Sequence, residues 1–190
     1  SFPVPVSPVM RTVLVVGVEI QSTGLDVSTE GRDLAVLFGD GAGAAVVTAT
    51  EEEGRGILAT NIHADGRHAD ALWLECSSSK KNPRITHEDI DEGRIYPRMD
   101  GRTVFINAVT RMPEAAMEAL ADAGLSTDDL DLVIPHQANL RIAQGVQKKL
   151  RLPDEKMFNN IQKYGNTTAA SIPIALSEAG EATWSLERDG

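Results

Sequence analysis

The run TVLVVGVEI at positions 12–20 restricts the fold more than any other stretch of the chain. It is continuous, β-branched and bounded by polar residues, the pattern of a strand buried on both faces inside a sheet. After the polar segment QSTGLDVSTEGRD come two further apolar runs, LAVLF and AAVVTAT, separated only by GDGAG at 39–43. A glycine-rich separator between two such runs is expected to be a turn joining two strands of a hairpin. GILATNIHADG (56–66) is expected to form another strand, and 67–100, which has no sustained period, a long surface excursion. RTVFINAVTRMPEAAMEALADAG (102–124) places Phe105, Val109, Met112, Ala116 and Leu120 on one helical face. Gly124 is its stop signal, and Pro113 a site where it could divide or kink. DLDLVIP (129–135) is expected to be a short strand, followed by a helix over 139–152 with Leu140, Ala143, Val146 and Leu150 inward and Pro153 closing it. The last segment, 156–182, is expected to contain a short strand, a Gly-Asn turn and a helix with Pro173 in its first turn. Strands alternating with helices define an α/β chain.

The 190 residues are enough to bury a sizeable core, and their formal charge of −10 argues against partners that present phosphates. One cysteine, Cys76, excludes an intrachain disulfide and a cysteine-rich zinc site, which fits a reducing cytosol. The opening SFPVPVSPVM has three prolines and no basic region, so it is not expected to be a signal peptide. No run approaches the ~18 apolar residues of a membrane span. A cytoplasmic, soluble protein is the expectation.

GDGAG invites a phosphate-loop reading, but no Lys-Ser/Thr follows and the next segment is strand-like, so the required context is missing. Cys76, His136 and Asn166 supply the residue types of a thiol-nucleophile triad, yet Cys76 lies in WLECSSSKKNP, a polar and irregular stretch expected to be exposed. His63, His68 and His87 form no i, i+4 pair and no HExxH motif, so no metal site is expected. His136 in PHQAN and Asn166 in YGNTT differ, because each follows a strand-like segment where a parallel α/β sheet opens its ligand crevice. An imidazole and an amide there can converge as N–H donors on a developing oxyanion, with Gly165 leaving room beside Asn166. The competing reading is structural: Asn166 turns the chain before a helix, and His136 satisfies a buried carbonyl.

VLVVGVEIQSTGLD, LFGDGAGAAVV, MDGRTVF, DLVIPHQANLRI and YGNTTAASIPIAL follow one another in one order. Together they resemble β-ketoacyl-acyl-carrier-protein synthase III of the thiolase-like superfamily, over about residues 10–185. The resemblance implies the layered αβαβα thiolase-like fold, with residues 1–55 as the end of the N-terminal half and 56–190 as the C-terminal half. It also implies a decarboxylative Claisen condensation in fatty-acid biosynthesis. A cysteine accepts an acyl group from coenzyme A, and a malonyl-acyl-carrier-protein thioester loses CO₂ and attacks it. His136 and Asn166 match the pair that binds the malonyl thioester oxygen. Arg102, Val104, Phe105, Ala138 and Asn139 match positions lining the pantetheine arm, and Arg141 matches a basic contact for the acidic carrier protein. Its bland alternative is a solvated helix charge. No resident cofactor is implied, and relatives are usually homodimers. A thiolase or elongating ketosynthase is disfavoured by the Asn of YGNT, where those relatives generally carry a second His or a Cys.

The family's nucleophilic cysteine precedes the segment matching VLVVG, and its final hairpin carries a glycine-rich loop. Neither is matched here, and ATWSLERDG resembles the helix end before that hairpin. The fold is therefore expected to be incomplete, with SFPVPVSPVM as an altered lead-in. A fragment, part of a longer enzyme, and a non-catalytic partner subunit or carrier-protein-binding remnant all meet this pattern.

Overall fold

The computed structural model describes residues 12–188, with side chains described through Gly180. The lead-in SFPVPVSPVM lies outside the described residues. The elements run β1 (Thr12–Glu19), α1 (Arg32–Ala35), β2 (Gly41–Thr48), β3 (Leu72–Trp73), α2 (His87–Asp91), β4 (Arg98–Met99), α3 (Gly101–Asp122), α4 (Leu140–Leu150), α5 (Ile161–Tyr164) and α6 (Ser171–Arg188). Short 3-10 turns fall at Gly66–His68, Thr127–Asp129, Asp154–Lys156 and Thr168–Ala170. Among the described residues no helix is long and apolar enough to cross a membrane.

The main core lies where α3 and α4 cross. Ile142, Val146 and Leu150 on α4 cluster with Leu152 and Met157, and Val109, Met112 and Ala116 of α3 pack against them. Gly145 lets the helices approach, since a Cβ there would sit 2.8 Å from a Val109 methyl. Asp100 caps α3 by accepting from the Arg102 and Thr103 amides, which holds its carboxyl below the usual range; the Thr103 hydroxyl, a third donor, is the main cause. Gly124, at φ +70°, ends the helix, and Pro113 sits inside it without dividing it. Asn139 caps α4 by accepting from the Arg141 amide at 2.9 Å. Leu140, expected inward, is 47% exposed, because a side chain in the first turn projects back over the cap and the buried stripe starts at Ile142.

The expected hairpin across 39–43 does not form. β1 pairs antiparallel with β2 from Thr12↔Thr48 to Glu19↔Gly41, so Gly41 and Gly43 are strand residues, and LAVLF is split between α1 and a single bridge at Phe38. The Asp40 carboxylate closes the connection by accepting from the Gln21 and Ser22 amides and the Ser22 hydroxyl; this lowers its pKa, the hydroxyl contributing most. The glycines are there for close packing. A Cβ on Gly17 would lie 2.2 Å from the Ala169 carbonyl oxygen, and one on Gly43 2.8 Å from Pro173 Cβ. The segment 167–174 therefore lies directly on the β1–β2 backbone.

Burial of β1 on both faces is also not observed: only Gly17 is buried, and Leu14 is 63% and Val18 56% exposed, because the sheet has two strands and one covered patch. The stretch 56–65 is irregular, and the strands expected at 129–135 and after 156 reduce to one parallel bridge, Val133↔Met157. The excursion 67–100 contains structure of its own. Asp89 is fully buried and accepts from Lys81 at 2.6 Å, Arg94 at 2.9 Å, and the amide and hydroxyl of Thr86, which hold its carboxyl far below the usual range. Cys76, expected exposed, is buried beside this cluster with Lys81 Nζ 3.5 Å from Sγ. Its polar neighbours turn inward onto a carboxylate instead of outward to water.

The close packing at Gly17 sets an expectation for stability. Gly17→Ala should destabilise by about 1–3 kcal/mol, because its methyl group meets backbone that cannot rotate away. Gly66→Ala, with nothing within 4 Å of the added carbon, should stay within about 0.5 kcal/mol of wild type. Urea midpoints of the two variants make the comparison, and equal losses would contradict this packing.

Candidate active site

His136 and Asn166 emerge from two parallel bridges. His136 follows the Val133↔Met157 bridge, and Asn166 itself bridges to Phe38, its N–H donating to the Leu37 carbonyl at 2.9 Å and its carbonyl accepting from Gly39 N at 3.0 Å. Gly165, at φ +67° and ψ −160°, occupies a region essentially restricted to glycine, which turns the chain from α5 into this bridge. Asn166 is buried, and its Oδ1 accepts from the Thr168 amide at 2.9 Å. The acceptor end of the amide is thereby fixed. The Nδ2 end faces no protein acceptor among the described residues. Thr168 adopts φ +43°, rare for a β-branched residue, and its buried hydroxyl has no partner. Such strain persists where the surroundings over-determine the backbone.

His136 is half-buried, and burial lowers its pKa, so the ring is neutral near pH 7. Its Nδ1 lies 2.6 Å from Ser171 Oγ at the start of α6. Nε2 has no protein partner among the described residues. Both site residues thus have one polar end committed to the scaffold and one end available. The structural reading of Asn166 as a turn residue is correct as far as Oδ1 goes, and that turn is what orients its N–H donors. His136 serves a hydroxyl, not a buried carbonyl.

A buried polar network supports the pair. Gln137, 3% exposed, donates to the Pro135 carbonyl at 2.9 Å and accepts from Asn160 N at 3.0 Å. The Asn160 amide donates to Glu178 of α6 at 3.0 Å, and Lys163 and the Tyr164 hydroxyl reach the same carboxylate at 2.9 and 2.7 Å. These bonds, Tyr164's foremost, hold the Glu178 carboxyl at about 2. The sequence reading missed Gln137, Asn160, Ser171 and Glu178. The available signal was weak: Ser171, Ala175 and Glu178 share the helical face on which Ala175 and Ala179 are buried, so a lone acid on that stripe requires partners.

Of the remaining expected residues, Arg102 is exposed and Val104 partly buried in the first turn of α3, with Phe105 38% exposed beside them. Ala138 packs against the α3–α4 core, the Asn139 side chain is used as the α4 cap, and Arg141 is exposed in the first turn of α4. A separate cleft of about 780 Å³ between α3 and residues 61–68 holds none of the expected site residues. Among the described residues, no three His, Cys, Asp or Glu side chains are grouped to hold a metal ion.

The mixed arrangement of helices and short strands is that of the thiolase-like class of folds. The chain belongs to the 3-oxoacyl-[acyl-carrier-protein] synthase III family, whose model matches residues 7–66 and whose C-terminal model matches 120–185. It is 47% identical over 150 residues to the β-ketoacyl-[acyl-carrier-protein] synthase III of Roseiflexus castenholzii, covering 79% of this chain and 44% of that one. The Rhodospirillum rubrum synthase III is 46% identical over 174 residues, covering 89% and 50%. The crystal structure of the synthase III from Aquifex aeolicus VF5 superposes with a TM-score of 0.77 at 44% identity, over 91% of this chain and 50% of that one. The chain spans about half the length of these relatives.

Glu178 anchors the loop that carries Asn166, and its role has a pH signature. A carboxyl whose folded pKa is depressed stabilises fully above the unfolded value near 4.5, and that contribution fades as pH falls toward about 2. Glu178→Gln cannot accept all three donors, so at neutral pH the Gly165 and Asn166 amides should exchange faster by roughly 10-fold. The difference from wild type should shrink as the pH is lowered through that window. Unchanged exchange at neutral pH would remove Glu178 from this role.

Proposed function

We propose that this chain carries the oxyanion-binding half of an acyltransferase that condenses an acyl group from coenzyme A with a malonyl-acyl-carrier-protein thioester in fatty-acid biosynthesis. The observation that carries this reading is that His136 and Asn166 each have one polar end engaged by the scaffold, which leaves Nε2 and Nδ2 for a substrate oxygen. As the bond to CO₂ breaks, its electron pair passes into the thioester as an enolate whose oxygen gains charge. Donors already aimed at that oxygen need no reorganisation and, being neutral, do not protonate it. The enolate carbon then attacks the acyl thioester, and the enzyme thiolate leaves. Arg102, Val104, Phe105, Ala138 and Asn139 line the pantetheine arm, and the exposed Arg141 meets the acidic carrier protein. The reaction needs no resident cofactor or metal. The whole protein acts as a cytoplasmic homodimer, and its nucleophilic cysteine lies outside these 190 residues.

In the whole protein, His136→Ala and Asn166→Ala should each lower kcat for malonyl-thioester decarboxylation by roughly 10²–10³, with KM little changed. Wild-type rates in both variants would overturn the assigned roles.

A second reading, a non-catalytic carrier-binding module, draws on the burial of Cys76, the one thiol in the sequence, which is only 1% exposed. Peptide mapping after incubation with acyl-coenzyme A separates the two. The enzyme reading expects acylation at a cysteine other than Cys76, the module reading expects none, and an acyl group on Cys76 contradicts both.

A further inference from the structure

The contact between His136 and Ser171 does more than fill space. Ser171 is 2% exposed, so its hydroxyl proton must be placed on a protein acceptor. Its oxygen lies 2.6 Å from His136 Nδ1 and also receives the Gln137 amide N–H at 3.4 Å. Among the described residues His136 Nδ1 is the only acceptor in reach of that hydroxyl. Two arrangements of protons are conceivable. If Nδ1 carried the imidazole proton, both it and the Gln137 amide would donate to the serine oxygen, and the hydroxyl proton would be stranded. If Nδ1 is bare, the amide donates to the oxygen, the hydroxyl donates to Nδ1, and every group is satisfied. Leaving a buried donor without an acceptor is disfavoured by roughly 10- to 100-fold.

We propose that Ser171 is a positioning residue: its hydroxyl donates to Nδ1 of His136, locking the ring in the tautomer that carries its proton on Nε2 and aiming that proton at the substrate. The serine is well placed for this. Its own N–H is held by the Thr168 carbonyl, so the 3-10 turn Thr168–Ala170 runs into α6 without a break. The hydroxyl therefore projects from a rigid helix start that is itself packed on Gly17 and Gly43. Because a hydrogen bond to bare Nδ1 favours the neutral ring, the serine also opposes protonation of His136, which would turn a neutral donor into an acid.

The inference rests on the oxyanion reading for its catalytic consequence, but the tautomer can be read without activity. The experiment is nitrogen-15 NMR of the imidazoles in the whole protein, with His136→Ala used to assign the resonance and Ser171→Ala and Ser171→Thr as variants. Wild type is expected to show a protonated Nε2 and a bare, hydrogen-bonded Nδ1. In Ser171→Ala the Nδ1 resonance should move toward that of a nitrogen without a donor. The acid limb of the decarboxylation pH profile should shift to higher pH and kcat should fall by roughly 10-fold at unchanged KM, with Ser171→Thr recovering most of both. A protonated Nδ1 in wild type overturns the proposal, and this measurement stands even if Ser171→Ala does not fold. An Nδ1 resonance and acid limb unchanged in a folded Ser171→Ala overturn it as well. Failure of the oxyanion reading is recognised separately, as wild-type decarboxylation by His136→Ala.

Discussion

The side chain of Gln137 is the interaction on which the site depends. Its amide lies in the interior, donates to the carbonyl beside His136 and accepts from the backbone of Asn160, tying the PHQAN segment to the loop that ends at Asn166. A buried amide held this way is costly to disturb, because displacing either segment leaves polar groups without partners. From Asn160 the chain of contacts continues to Glu178 and α6, and from Gln137 back through Ser171 to His136. The donor pair is therefore mounted on one connected polar framework whose members come from three separate stretches of sequence.

The three longest helices were legible because their signals are local: a periodic apolar face on α3 with Gly124 after it, a periodic apolar face on α4 with Pro153 after it, and Pro173 in the first turn of α6. The glycines of GDGAG were misread because a turn glycine and a strand glycine look alike in sequence. They differ only in whether another backbone lies on top, as Ala169 does over Gly17. Burial of β1 failed for a related reason, since burial belongs to the neighbours of a strand and not to its composition. Lys81 and Arg94 lie in a stretch whose sequence shows only an irregular surface excursion around Cys76, yet they converge on Asp89, an arrangement that no periodicity announces. Residues 129–135 have a strand's composition but find only one bridging partner.

His136 and Asn166 could be singled out as candidates because each follows a strand-like segment, where an α/β sheet opens its ligand crevice, and because the motifs that hold them follow the order of a family to which the chain does belong. Their supports could not. The His136–Ser171 contact spans 35 residues and that from Gln137 to Asn160 spans 23, separations at which pattern carries no information. What the helical period does encode is the relation between the two anchors on α6.

Ser171 and Glu178 stand seven residues apart, two helical turns, so they project from one face of α6 with roughly 10 Å between them along the axis. One end of this span meets the ring of His136, and the other holds the loop leading to Asn166. The helix thus works as a gauge block between the two donors. Side chains on its outer surface, such as Ile172, Leu176 and Ser177, are exposed and open to substitution. A single residue inserted or deleted between the anchors would rotate one of them by roughly 100° away from its partner. In this helix, length is under tighter constraint than composition.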